Sequence, residues 1–276
     1  MKKPKVIVLR TAGTNCDRET AFAFESAGAA VELVHVNELA RGEKELESYH
    51  ILTIPGGFTY GDDIASGKIL ANELKFKMGR ALQKFVNDGK LILGICNGFQ
   101  ILVKAGLLPN LSGDCRTIEA TLTLNDSNKF EDRWVYLKKP RTVNRKPQTE
   151  CVWTRGIDRI IQLPVAHGEG KFIPKNKKVL DALKREGLIV LEYADEAGIR
   201  KGYPYNPNGS TENIAGICDP TGRIFGLMPH PERHISTYQH PAWTRIKEIK
   251  SGKGDGFAIF VNGVNFAKKH LSFVKI

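Results

Sequence analysis

Apolar and polar positions fall into two alternating patterns through the first hundred residues of this chain. Short, mostly apolar runs at 6–9, 31–36, 51–54 and 91–95 have the length of buried strands. Between them the apolar residues take helical spacing, which predicts an amphipathic helix over about 17–27, helical structure around 39–46 and a periodic helical stretch over 69–86. Short strands alternating with helices imply a parallel sheet covered by helices on both faces, with ligands held at the carboxyl ends of the strands. The second half is richer in strands, at 117–124, 134–137, 159–165 and 188–193. A further pair at 214–218 and 224–228 becomes a hairpin through the turn residues Asp219-Pro220-Thr221-Gly222. Residues 257–270 predict a closing helix. No repeat or linker divides the chain, so 1–276 reads as one α/β domain with a basic surface loop near 138–149 and an extended stretch after 234.

The apolar run at 91–95 stops in Gly94-Ile95-Cys96-Asn97-Gly98, where a helix-like segment begins. A sharp strand-to-helix turn needs small residues on both sides of its apex, because a side chain at Gly94 or Gly98 would collide with the folded-back chain. The turn lifts Cys96 clear of the sheet and sets it at a helix N-terminus, whose partial positive charge favours an anion. Most unpaired cysteines are small core residues, so a nucleophile also needs a base. The segment Met228-Pro229-His230-Pro231-Glu232-Arg233 offers one. Pro229 and Pro231 disfavour helix, and in an extended segment residues i and i+2 project to one side, so Glu232 can hold the imidazole of His230 by its second nitrogen. Cys16 is the rival thiol; without flanking glycines it suits a core or helix-entry role. His167 and Glu169 with His230 and Glu232 have zinc-like chemistry, but a catalytic zinc would leave the turn at Cys96 without purpose, and no metal is expected.

Composition narrows the field. A formal net charge of +11, from 41 Lys and Arg against 30 Asp and Glu, invites a nucleic-acid partner. The basic residues are scattered, with no zinc-finger or helix-turn-helix signature, and read as solvated faces; one patch could meet an acidic partner subunit or phosphorylated metabolites. Five cysteines, odd in number and with no Cys-x-x-Cys pair, argue against a disulfide framework and fit a reducing cytoplasm. The apolar run after Met1-Lys2-Lys3-Pro4 is too short for a signal peptide, and no segment approaches membrane-spanning length.

Five segments in order resemble a known family: Pro55-Gly56-Gly57-Phe58-Thr59-Tyr60-Gly61-Asp62, Gly94-Ile95-Cys96-Asn97-Gly98-Phe99-Gln100, His167-Gly168-Glu169-Gly170, Asn206-Pro207-Asn208-Gly209-Ser210 and Met228 to Arg233. They are similar to the glutaminase subunits of phosphoribosylformylglycinamidine synthases, within the class I triad glutamine amidotransferases. The resemblance implies a flavodoxin-like amidotransferase fold and a triad of Cys96, His230 and Glu232. It implies an oxyanion hole from the backbone N–H groups of Gly57 and Asn97, and a glutamine site involving Gly56, Gln100, His167 and Gly168. Glutamine would be hydrolysed to glutamate and ammonia, with ammonia passed to a synthetase subunit that makes formylglycinamidine ribonucleotide in purine biosynthesis, often beside a small bridging subunit. The chain has no nucleotide-binding signature, so ATP and Mg are expected on that partner and no cofactor here. Two other readings stay open: a glutaminase serving another ATP-dependent synthetase, and a catalytically silent regulatory protein of the same fold. The basic segment at 138–146 and the stretch after His234 are extra relative to compact relatives.

Overall fold

The structure is a computed structural model that describes residues 3–140, 149–245 and 252–270. The first half runs β1 (Lys5–Arg10), α1 (Asp17–Ser26), β2 (Ala30–His35), α2 (Val36–Ala40), β3 (Ile51–Ile54), α3 (Lys68–Lys77), α4 (Gly79–Asn87), β4 (Leu91–Ile95) and α5 (Asn97–Lys104). The second runs β5 (Ala120–Thr123), β6 (Glu131–Lys138), β7 (Ile161–His167), β8 (Lys171–Pro174), α6 (Lys177–Glu186), β9 (Ile189–Ala194), β10 (Ile214–Cys218), β11 (Ile224–Leu227) and α7 (Phe257–His270).

One nine-stranded sheet takes strands from both halves in the order β2-β1-β3-β4-β11-β10-β9-β6-β7. Pairing is parallel from β2 to β11 and antiparallel beyond it. Residues Val6 to Val8, Ile51 to Ile54 and Leu91 to Ile95 are all buried, so the central strands are covered on both faces and need no polar alternation. One cover is α1 with α7, where Phe24 meets Phe260 edge-on with ring centroids 4.9 Å apart. The other is α5, which lies over β3, β4 and β11 and packs against α3. The predicted hairpin is β10–β11, and Asp219 ties its turn by accepting from the N–H groups of Thr221, Arg223 and Ile224.

Several elements differ from expectation. The stretch 69–86 is two helices, interrupted where Met78 leaves helical geometry beside the poor helix former Gly79. The helical signal at 39–46 resolves into α2, a stop at Gly42 with φ of 71°, and a short 3₁₀ turn at Leu46–Ser48. Strand β5 is shorter than 117–124 and pairs outside the main sheet with β8. Both β8 and α6 arise in a stretch whose lysines read only as surface charge. The cap signals of α6 were there: the Asn176 side chain accepts from the Val179 N–H at one end, and Gly187 takes the left-handed conformation at the other. The basic loop predicted near 138–149 falls almost wholly outside the described residues. Among the described residues, no helix is long and apolar enough to cross a membrane.

Candidate active site

The register of two parallel strands builds the centre of the site. Ile95 pairs with Leu227 across β4 and β11, and the Cys96 N–H donates to the Leu227 carbonyl at 2.8 Å. Cys96 and His230, far apart in sequence, therefore leave the sheet from adjacent strand ends. Cys96 has φ of 52° and ψ of −106°, outside every region comfortable for a side-chain-bearing residue. Such strain costs about 1–3 kcal/mol and fits the sharp strand-to-helix turn expected from the sequence. The flanking glycines are required for the reason expected: a Cβ on Gly98 would lie 1.9 Å from the Ile54 carbonyl oxygen, and one on Gly94 would lie 2.7 Å from that of Gly98.

The Cys96 thiol is buried under the end of β7, 3.7 Å from the Ala166 carbonyl oxygen. His230 and Glu232 are buried as well. Nδ1 of His230 lies 2.6 Å from Oε1 of Glu232, and the His230 N–H is fixed by the Pro164 carbonyl. Burial alone draws the imidazole toward its neutral form; the Glu232 carboxylate and the Cys96 sulfur outweigh it and hold the pKa well above the ordinary histidine range. The Glu232 contact keeps the proton on Nδ1 and leaves Nε2 for the sulfur. Among the described residues the buried Nε2 makes no hydrogen bond. The contact is not made as expected by an extended chain: Pro231–Arg233 is a 3₁₀ turn with Pro231 at its first position, where its fixed φ and missing N–H are tolerated.

The loop after β3 brings Gly56 and Gly57 to the same place. A Cβ on Gly56 would lie 2.7 Å from Cε1 of His230. Gly57 has φ of 151°, and a Cβ there would lie 2.8 Å from the Gly13 carbonyl oxygen. Asn97 opens α5, so its N–H has no acceptor within the helix. Its buried side chain has a role that sequence reasoning missed. Oδ1 accepts from the Thr59 N–H at 3.2 Å and the Thr59 hydroxyl at 2.8 Å, while Nδ2 donates to Asp62 at 3.2 Å and to Gln100 Oε1 at 2.9 Å. Burial pushes the Asp62 carboxyl above its usual range. This latch joins the Gly57 loop to the helix behind Cys96.

Gln100 is buried with both ends of its amide engaged: Oε1 by Asn97, and Nε2 donating to the Glu169 carbonyl at 2.6 Å. It ties α5 to the loop at His167 to Gly170. His167 is buried at the end of β7, with Nδ1 3.1 Å from Asn125 Oδ1 and Nε2 3.4 Å from Asn208 Nδ2. Burial, reinforced by the nearby His230, lowers its pKa to about 4, so it is neutral near pH 7. Asn125 also donates to the His167 carbonyl and accepts from the Gly170 N–H, and its own N–H donates to the Gly168 carbonyl. The Ser210 hydroxyl donates to the Gly170 carbonyl, which gives the Asn206-to-Ser210 motif a bracing role. The four residues weighed as zinc ligands do not gather; among the described residues the potential ligands that do are Cys16, His230 and Glu232, within 4.8 Å of one another.

Residues 3–267 match the model of the CobB/CobQ-like glutamine amidotransferase domain. A phosphoribosylformylglycinamidine synthase subunit PurQ of Dehalococcoides mccartyi is 48% identical over 272 residues, covering 98% of this chain and all of that one. The chain belongs to the PurQ family. A PurQ of Archaeoglobus fulgidus is 40% identical, covering 96% of this chain and 97% of its own. The solved PurLQS of Thermotoga maritima includes a chain 30% identical, with a TM-score of 0.69 and coverage of 96% and 99%. PurQ family membership makes the chain a glutamine amidotransferase with the α/β fold expected of it.

Proposed function

We propose that this chain is the glutaminase subunit of a phosphoribosylformylglycinamidine synthase, with Cys96, His230 and Glu232 as its triad. Supporting the reading above all is the juxtaposition of a strained Cys96 with a buried His230 held by Glu232 on the next strand end. The Cys96 sulfur attacks the side-chain carboxamide of glutamine. The resulting oxyanion is met by the N–H groups of Gly57 and Asn97, each such donor being worth about 2.7–4 kcal/mol. His230 gives a proton to departing ammonia, leaving an acyl thioester on Cys96. It then takes a proton from water, which attacks the thioester and releases glutamate. Glu232 keeps the Nδ1 proton in place through both steps. Gly56, Gln100, His167 and Gly168 shape the glutamine recess, Gln100 and His167 by fixing its walls.

Ammonia is then used by a synthetase subunit that carries ATP and Mg, in a complex that includes a small bridging subunit. The exposed rings of Phe58 and Phe130, 6.3 Å apart, stand beside the Gly57 loop and Gly168, where a docked partner would cover the recess. The five free cysteines suit work in a reducing cytoplasm. The experiment is reconstitution with the synthetase: Cys96→Ala should abolish glutamine-dependent product while free ammonia at high pH still supports it. Loss of both activities, or of neither, overturns the triad.

A further inference from the structure

Glu232 and Arg233 are consecutive, and both reach His230. Glu232 does so directly; Arg233 does so through Cys16. The Arg233 Nη2 donates to the Cys16 sulfur at 3.1 Å, and that sulfur lies 3.9 Å from Nδ1 of His230. A Cβ on Gly56 would lie 3.1 Å from the same sulfur, so imidazole, thiol and Gly56 are packed together. The position of the thiol is set from two sides. The Cys16 carbonyl accepts from the N–H and hydroxyl of Thr20 at the start of α1, and the Cys16 N–H donates to the Gly56 carbonyl at 3.2 Å. Arg233 extends the chain of contacts outward, its Nε 3.4 Å from the Glu19 carboxylate, both side chains being about one-third exposed.

Building on the amidotransferase reading, we propose that Cys16 and Arg233 are positioning residues for His230, holding the imidazole at the angle that aims Nε2 toward Cys96. Cys16 is not a second nucleophile: it is 1% exposed, burial pushes its thiol up, and the thiol can donate to Asn15 Oδ1 at 3.1 Å. Nor is the Cys16, His230 and Glu232 cluster a cation site, because the Arg233 guanidinium already points its N–H at the sulfur and would repel a metal ion. The sulfur is a soft wedge that fills the space left by Gly56 and accepts from Arg233. An alanine at 16 leaves a half-buried guanidinium without that acceptor and the ring without its backing.

The test uses the complex reconstituted with the synthetase, carrying Cys16→Ala, Arg233→Gln or both, with Cys16→Ser and Arg233→Lys as conservative partners. Each of Cys16→Ala and Arg233→Gln should lower kcat for glutamine-dependent synthesis by about tenfold, with KM for glutamine changed less than about twofold and ammonia-dependent synthesis intact. The double variant should be no slower than the worse single one, because both act through one ring. Cys16→Ser, which keeps an acceptor, should restore at least half of the activity. The ¹⁵N signals of the His230 ring should show a displaced pH midpoint in both single variants. Unchanged kcat, additive losses, or losses with the His230 signals unmoved would each overturn the proposal. Where Arg233→Gln or Cys16→Ala fails to give soluble protein, the His230 signals of Arg233→Lys and Cys16→Ser decide. Cys96→Ala is the control: if it retains glutamine-dependent synthesis, the amidotransferase mechanism itself falls, whatever the other variants do.

Discussion

Ile95 and Leu227 are partners across the parallel strands β4 and β11, so that Cys96 and His230 emerge from one seam of the sheet. The loops nearby are held to this seam by side-chain hydrogen bonds, and each of those ties can be tested separately.

Gly56→Ala places a methyl group 2.7 Å from the His230 ring and 3.1 Å from the Cys16 sulfur. The fold should absorb this at about 1–3 kcal/mol, the usual range for overpacking. Glutamine-dependent kcat should fall much further than ammonia-dependent kcat. Equal kinetic losses in both assays would mean that the ring was not the group displaced.

Glu232→Gln removes the charge that outweighs burial at His230. The imidazole should then lose its proton at lower pH than in the unaltered enzyme, as followed by ring ¹⁵N shifts. Glutamine-dependent kcat/KM should drop by about 10²–10⁴-fold, the range for a general acid–base group. A titration midpoint that stayed put or rose would contradict the balance of forces assigned here.

Asn97→Ala keeps the backbone N–H at that position but releases Thr59, Asp62 and Gln100. Unpaired buried groups should cost about 1–3 kcal/mol of stability. Because the Gly57 loop loses its latch, kcat should fall by roughly 10- to 100-fold, less than the 10²–10³ typical of a donor removed outright. Stability lost with kcat intact would reduce the latch to a packing feature.

His167 supplies a pH signature of the fold. Its pKa is about 4 in the native state against about 6.5 for an ordinary histidine. Above pH 6.5 both states are neutral and nothing changes. As pH falls from 6.5 toward 4 the unfolded chain takes the proton first, so stability declines, by about 3 kcal/mol in all. His167→Gln should be less stable at pH 7 and show a shallower acid limb in urea unfolding between pH 7.5 and 4. Parallel limbs in the two proteins would rule the assignment out.

Gly94-Ile95-Cys96-Asn97-Gly98 was legible because a strand-to-helix turn leaves a local mark: small residues at fixed offsets around one apex. The β10–β11 hairpin was legible for the same reason, through its turn residues. That β11 lies beside β4 was not, since no local pattern records which strand neighbours which across more than a hundred residues. The Asn97 side chain was missed because its partners Thr59 and Asp62 lie in a distant loop, and only its N–H had a role dictated by position. Cys16 has no flanking glycines to mark it in the sequence, and only the fold brings it against His230. Helix α6 is masked by the basic run Lys171 to Lys178 that enters it, while Val179, Leu180 and Leu183 carry the helical period.

Since Cys96 and His230 follow the ends of two paired strands, the triad proposed above has no detachable arm. Warming or urea that loosens only α2, α4 or α6, which hold none of these ties, should spare turnover, and the inactivation curve should coincide with melting of the central strands. In lineages that lengthen the peripheral loops, working temperature should therefore follow how tightly those two strands grip each other.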